Sequence, residues 1–150
     1  MRGLVGVALL VAASTAWAGE DEAAARFARL SDHLVPVCVG AAATHCFETA
    51  FAHADTDGDD RLAVAELDAL RRDAMAWFFA RREELTATEQ TMIALVLAAV
   101  NTAGVERLVA AYDTDGDGGL DRGELRADVT LDDRPLPVLV RDGDAVDWAA

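Results

Sequence analysis

The chain has 150 residues, enough for one domain with a hydrophobic core and no reason to expect two. Its 13 basic residues, all arginine, stand against 27 acidic ones, and the resulting net charge of −14 argues against nucleic acid or an anionic lipid surface as a partner.

The first eighteen residues have the form of an export signal. Arg2 gives a short positive start, Leu4 to Ala13 are apolar, and Ala16-Trp17-Ala18 is a small-x-small cleavage site. Cleavage before Gly19 is expected over an uncleaved anchor, because the apolar stretch falls short of the roughly twenty residues a span needs. The mature chain is then exported, periplasmic or extracellular, with twelve arginines against 27 acids and no membrane segment. Cys38 and Cys46 fit an oxidising compartment and are expected to form a short disulfide. A zinc site from His33, Cys38, His45 and Cys46 matches no common ligand spacing. Residues 19–43 read as a helical lead-in, with a polar helix over 20–31 and a break at Pro36 and Gly40.

The domain proper is expected over 44–128. The helical stretch His45 to Ala54 carries Phe47 and Phe51 on one face and runs into "DTDGDDRLAVAE", residues 55–66. A helix over 65–85 follows, with Leu67, Leu70, Ala74, Trp77 and Phe78 on one stripe, widened by Met75 and Phe79. So broad an apolar sector needs a broad partner. Thr86 and Glu89 then make a capping box for a further helix bearing Ile93, Val96, Leu97 and Val100 on one side, and Asn101 with Gly104 predicts a break. Val105 to Tyr112 leads into "DTDGDGGLDRGE", residues 113–124, which aligns with residues 55–66 without a gap. Their first residues lie 58 apart, about two dozen more than two adjoining helix-loop-helix units require, so the helix after Thr86 is an insertion. Whether the two units pair is left open. Residues 129–150 form a C-terminal arm. Val129 and Leu131, then Leu136, Val138 and Val140, alternate about an Asp-Asp-Arg-Pro turn and suggest a short hairpin, which Pro135 and Pro137 confine to an edge or extended arm. Asp142-Gly143-Asp144 is too short to be a third loop.

Both twelve-residue segments carry acids at positions 1, 3, 5 and 12 and leucine at position 8. In this they resemble the EF-hand calcium-binding family, with an all-α fold as the implied architecture. A hard dication takes six to eight oxygens, and the resemblance assigns them. In the first loop these are Asp55, Asp57, Asp59, the carbonyl of Arg61, and Glu66; in the second, Asp113, Asp115, Asp117, the carbonyl of Gly119, and Glu124. At position 9 Asp121 can hold a water where Ala63 cannot. Position 6 normally takes glycine because φ is positive there. Gly118 satisfies this, whereas Asp60 is among the few other residues that tolerate it, at some strain. Gly119 is expected to loosen the loop at position 7. Two carboxylates about 4 Å apart repel by roughly 4 kcal/mol at an effective dielectric near 20, so loops that gather several call for a cation.

No enzyme is expected. Ser31, the one serine after the signal, lies in no nucleophile elbow, and no nucleophile, base and orienting group can be named together. The expected function is calcium binding with a structural or buffering role. The alternative is a sensor that shows Trp77, Phe78 and Phe79 to an unidentified protein partner; its mature chain has only Met75 and Met92, fewer than sensor grooves use.

Overall fold

The computed structural model describes residues 4–143, with side chains from Gly19 onward. Residues 1–3 and 144–150, which hold parts of the expected signal and arm, lie outside the described residues. The fold is all-α apart from a two-stranded ladder: α1 (Leu4–Gly40), α2 (Ala43–Ala54), β1 (Leu62–Ala63), α3 (Val64–Arg81), α4 (Ala87–Ala103), α5 (Val105–Tyr112), β2 (Gly119–Leu120), α6 (Arg122–Leu125) and α7 (Leu136–Asp142). A single 3-10 turn, Arg82–Glu84, extends α3.

The stripe on α3 meets α1 along much of its length. Phe27 and Trp77 pack at a tilt with ring centroids 5.5 Å apart, and Arg26 grips Asp73 through two hydrogen bonds of 2.7 and 2.8 Å. α1 corrects one expectation, because it continues through Pro36 and ends only at Gly40. Proline removes one helical N–H, but Pro36 is on the exposed side, where water can satisfy the carbonyl left over. The Ala41 amide closes the helix on Val37 at 2.8 Å, and the Cys38–Cys46 disulfide, with Cα atoms 4.7 Å apart, fastens this end to α2.

The main core lies between the two acidic loops. Val105, Val109 and Leu120 are buried, and Val64, Leu67, Val100, Tyr112 and Leu125 close around them. α5, which leads into the second loop, thereby packs on α3, which leaves the first. β1 and β2 run antiparallel with Leu62 opposite Leu120 and Ala63 opposite Gly119, so the two units do pair. Both leucines sit at position 8 and point into the core at 5% and 1% exposure.

The inserted helix follows its sequence. Thr86 accepts the Glu89 amide, Glu89 accepts the Thr86 amide, and Gly104 at φ 82° separates α4 from α5 at an angle of 78°. The C-terminal hairpin does not form. Residues 136–142 are instead the helix α7, since Pro135 and Pro137 preset the backbone of a first turn whose amides need no helical partner, and Gly143 ends it in the left-handed conformation. The alternation Leu136, Val138, Val140 is overruled: Leu139, outside that set, is the fully buried residue, packed on Ala43. The Ala43 amide donates to the Arg134 carbonyl at 2.8 Å, which ties this arm to the start of α2.

Candidate metal centre

Each loop begins where a helix stops. Asp55 caps the end of α2 and Asp113 the end of α5, both in extended conformation. From there each aspartate is turned inward by the amides that follow it. Gly58 and Asp59 donate to Oδ1 of Asp55 at 2.7 and 3.2 Å, and Asp60 donates to Oδ2 at 3.0 Å. The second loop repeats this: Gly116 and Asp117 donate to Oδ1 of Asp113 at 2.7 and 3.2 Å, and Gly118 to Oδ2 at 2.9 Å. Asp57 and Asp115 take the amides two residues on, as do Asp59 and Asp117. These short local bonds are what the Asp-x-Asp-x-Asp spacing encodes. Their result is convergence: carboxylate oxygens of Asp55, Asp57 and Asp59 lie within 4.8 Å of one another, and those of Asp113, Asp115 and Asp117 do the same. Each triad can hold a metal ion.

The backbone bears out the reading of position 6. Asp60 has φ 64°, the one non-glycine residue with positive φ among the described residues, and Gly118 has φ 90°. At position 12, Glu66 and Glu124 stand beside the triads without joining the group that meets the 4.8 Å separation. Oε1 of Glu66 receives the amide and hydroxyl of Thr56 at 2.6 and 2.8 Å, and Oε2 receives the Ala63 amide at 3.0 Å. Glu124 has the same partners in Thr114 and Asp121, at 2.6, 2.9 and 3.0 Å. Each glutamate thus draws the start of its loop onto the start of the following helix. Asp121 in turn accepts the Glu124 amide at 2.8 Å and so serves as the N-cap of α6, a role Ala63 cannot fill.

The electrostatics are those of a site short of positive charge. At Asp115 the Asp117 amide pulls the carboxyl pKa down, but desolvation and the charges of Asp117, Glu124 and Asp113 outweigh it and raise the pKa above the ordinary value. Glu66 is pushed up by desolvation, yet the bonds from Thr56, Ala63 and Asp57 prevail and leave it lowered. Glu124 is lowered by the amides of Asp121 and Thr114. Anionic glutamates next to mutually repelling aspartates make an oxygen-rich, negatively charged cradle, the donor set that suits a hard dication.

Three residues with a part here are absent from the sequence expectation, and a fourth, Arg61, was named there only for its carbonyl. Thr56 and Thr114 hold the glutamates, and their signal was present in the identical Asp-Thr-Asp-Gly-Asp opening of both loops. Arg61 crosses to the second loop and binds Oδ2 of Asp117 at 2.7 Å. Arg122 crosses the other way, to Asp60 at 2.9 Å and Glu48 at 2.7 Å, with its guanidinium 4.0 Å above the Phe51 ring. Nothing in a single sequence marks such cross-loop pairs. They also give Gly119 a packing role: a Cβ there would come within 3.1 Å of the Arg61 Cβ, so glycine lets the arginine pass.

Of the aromatic trio, Phe78 is buried, Trp77 is half-buried, and Phe79 is 59% exposed. Comparison of the chain with protein-family models, with curated proteins and with solved structures finds no match.

Proposed function

We propose that the protein is an exported calcium-binding protein of the EF-hand type, that its two loops each bind one calcium ion, and that binding rather than catalysis is its function. The observation that supports this most is the duplication of geometry. Two segments 58 residues apart turn three aspartates inward through the same hydrogen bonds and set a glutamate on the same threonine and helix-start amides. An acidic surface turn has no cause to repeat that pattern.

The ligands would be Asp55, Asp57, Asp59, the Arg61 carbonyl and Glu66 in the first site, and Asp113, Asp115, Asp117, the Gly119 carbonyl and Glu124 in the second. Bound calcium supplies the positive charge that each cluster lacks. Calcium is favoured over magnesium because these flexible, carboxylate-rich loops suit six to eight oxygens better than a strict octahedron. The ion's role is read as structural or buffering: the loops meet at the β1–β2 ladder, against the core formed by α3 and α5, so neutralising them steadies the centre of the molecule. The Cys38–Cys46 disulfide supports an exported location, where calcium is plentiful.

Calorimetric titration with calcium tests the reading. Two binding events are expected, with Glu66→Gln and Glu124→Gln each removing one. Heats unchanged by both substitutions would reject the assignment.

A further inference from the structure

We propose, on the calcium reading of the two loops, that Arg61 couples them: its guanidinium is a tethered cation that weakens calcium binding in the second loop until an ion enters the first. The residue belongs to both sites. Its carbonyl is the position 7 ligand of the first loop, whereas its side chain crosses to the second and donates to Oδ2 of Asp117 at 2.7 Å. Asp117 is the position 5 acid, one of the three carboxylates that converge there. Its Oδ1 already accepts the Gly119 amide at 3.0 Å, so both of its oxygens are engaged, and an ion must share one of them or displace a donor. The fold sets up this contact. Arg61 directly precedes β1, whose pairing with β2 places it beside the second loop, and Gly119 carries no side chain to block its path.

The arrangement is one-sided. Arg122 makes the return crossing but binds Asp60, a position 6 residue outside the ligand set, and among the described residues no arginine side chain pairs with Asp55, Asp57 or Asp59. The first loop therefore takes an ion without competition, and the second does not. The Arg61 guanidinium feels the charge of Asp117 most, then those of Asp59 and Asp115, so acids of both loops hold it. An ion in the first loop cancels the pull of Asp59 and repels the guanidinium, which loosens its hold on Asp117. A surface ion pair adds little to folding, but a unit charge beside a bound dication opposes it with twice the force between single charges.

Calorimetric titration with calcium of the wild type, Arg61→Gln, Glu66→Gln and the double variant provides the test. Glu66→Gln silences the first loop and leaves the second to be measured alone. Adding Arg61→Gln to it should tighten the second site by roughly three- to tenfold, and by less when the first loop is intact and loaded. Arg61→Lys, which keeps a cation, should restore part of the weaker affinity. Arg72→Gln removes the same charge from the exposed side of α3, where it pairs with Asp68, and should leave the affinity within about twofold. A second site no tighter in Arg61→Gln, a gain matched by Arg72→Gln, or a gain as large with the first loop loaded as with it silenced overturns the proposal. A wild type that takes up no calcium overturns the EF-hand reading itself, and this coupling with it.

Discussion

Asp60 is where the first loop carries its strain. The left-handed backbone costs a residue with a Cβ roughly 1–2 kcal/mol, less for aspartate, whose carboxylate can bond locally. Here that carboxylate has a further use, since it accepts Arg122 at 2.9 Å. Asp60→Ala keeps the strain and loses the contact, so it should destabilise the protein slightly, by under about 1 kcal/mol, whereas Asp60→Gly removes the strain and should cost less than the alanine change. Thermal unfolding of the two variants side by side checks the order. Arg61 and Arg122 link the loops in opposite directions. At the surface such pairs contribute little energy individually, so their effect is to fix which loop faces which.

The elements differ in how openly the sequence announces them. α4 was legible because its start is a local device: Thr86 and Glu89 satisfy each other's amides over three residues. Thr86→Ala should cost about 1 kcal/mol, read by denaturant unfolding. The hydrogen bonds from Thr86 hold the Glu89 carboxyl pKa below its ordinary value. A lowered folded-state pKa means the stabilisation is present above the unfolded pKa and lost as pH falls through the folded one. The difference between wild type and Glu89→Gln should therefore narrow on acidification through the glutamate range. The acidic loops were equally readable, the turn of their aspartates being set by residues two to five positions apart. α1 and α7 were not. Pro36 reads as a break in any local sense, and only its exposure, the disulfide and the packing on α3 allow the helix to continue. Leu136, Val138 and Val140 alternate as a strand does, but two prolines at a helix start and burial of Leu139 against Ala43 decide otherwise. The Cys38–Cys46 link joins α1 to α2 across a short loop, so Cys46→Ala should cost about 2 kcal/mol, seen as a lower melting temperature than that of the oxidised wild type.

At the scale of the molecule, two acidic clusters flank one small core. Pairing through Leu62 and Leu120 brings both clusters to the same end of the fold, so their repulsion opposes the packing of α3 on α5. A cation in each loop reverses that sign. At a calcium concentration 100 times the dissociation constant, one site adds about 2.7 kcal/mol to the folded state, a large share of the stability of a domain this size. The melting temperature should accordingly climb with calcium and fall back with a chelator. The most direct check is equilibrium dialysis of the wild-type protein against radiolabelled calcium. Two bound ions per chain at millimolar calcium are expected; no retained label at that concentration would contradict the assignment of both loops.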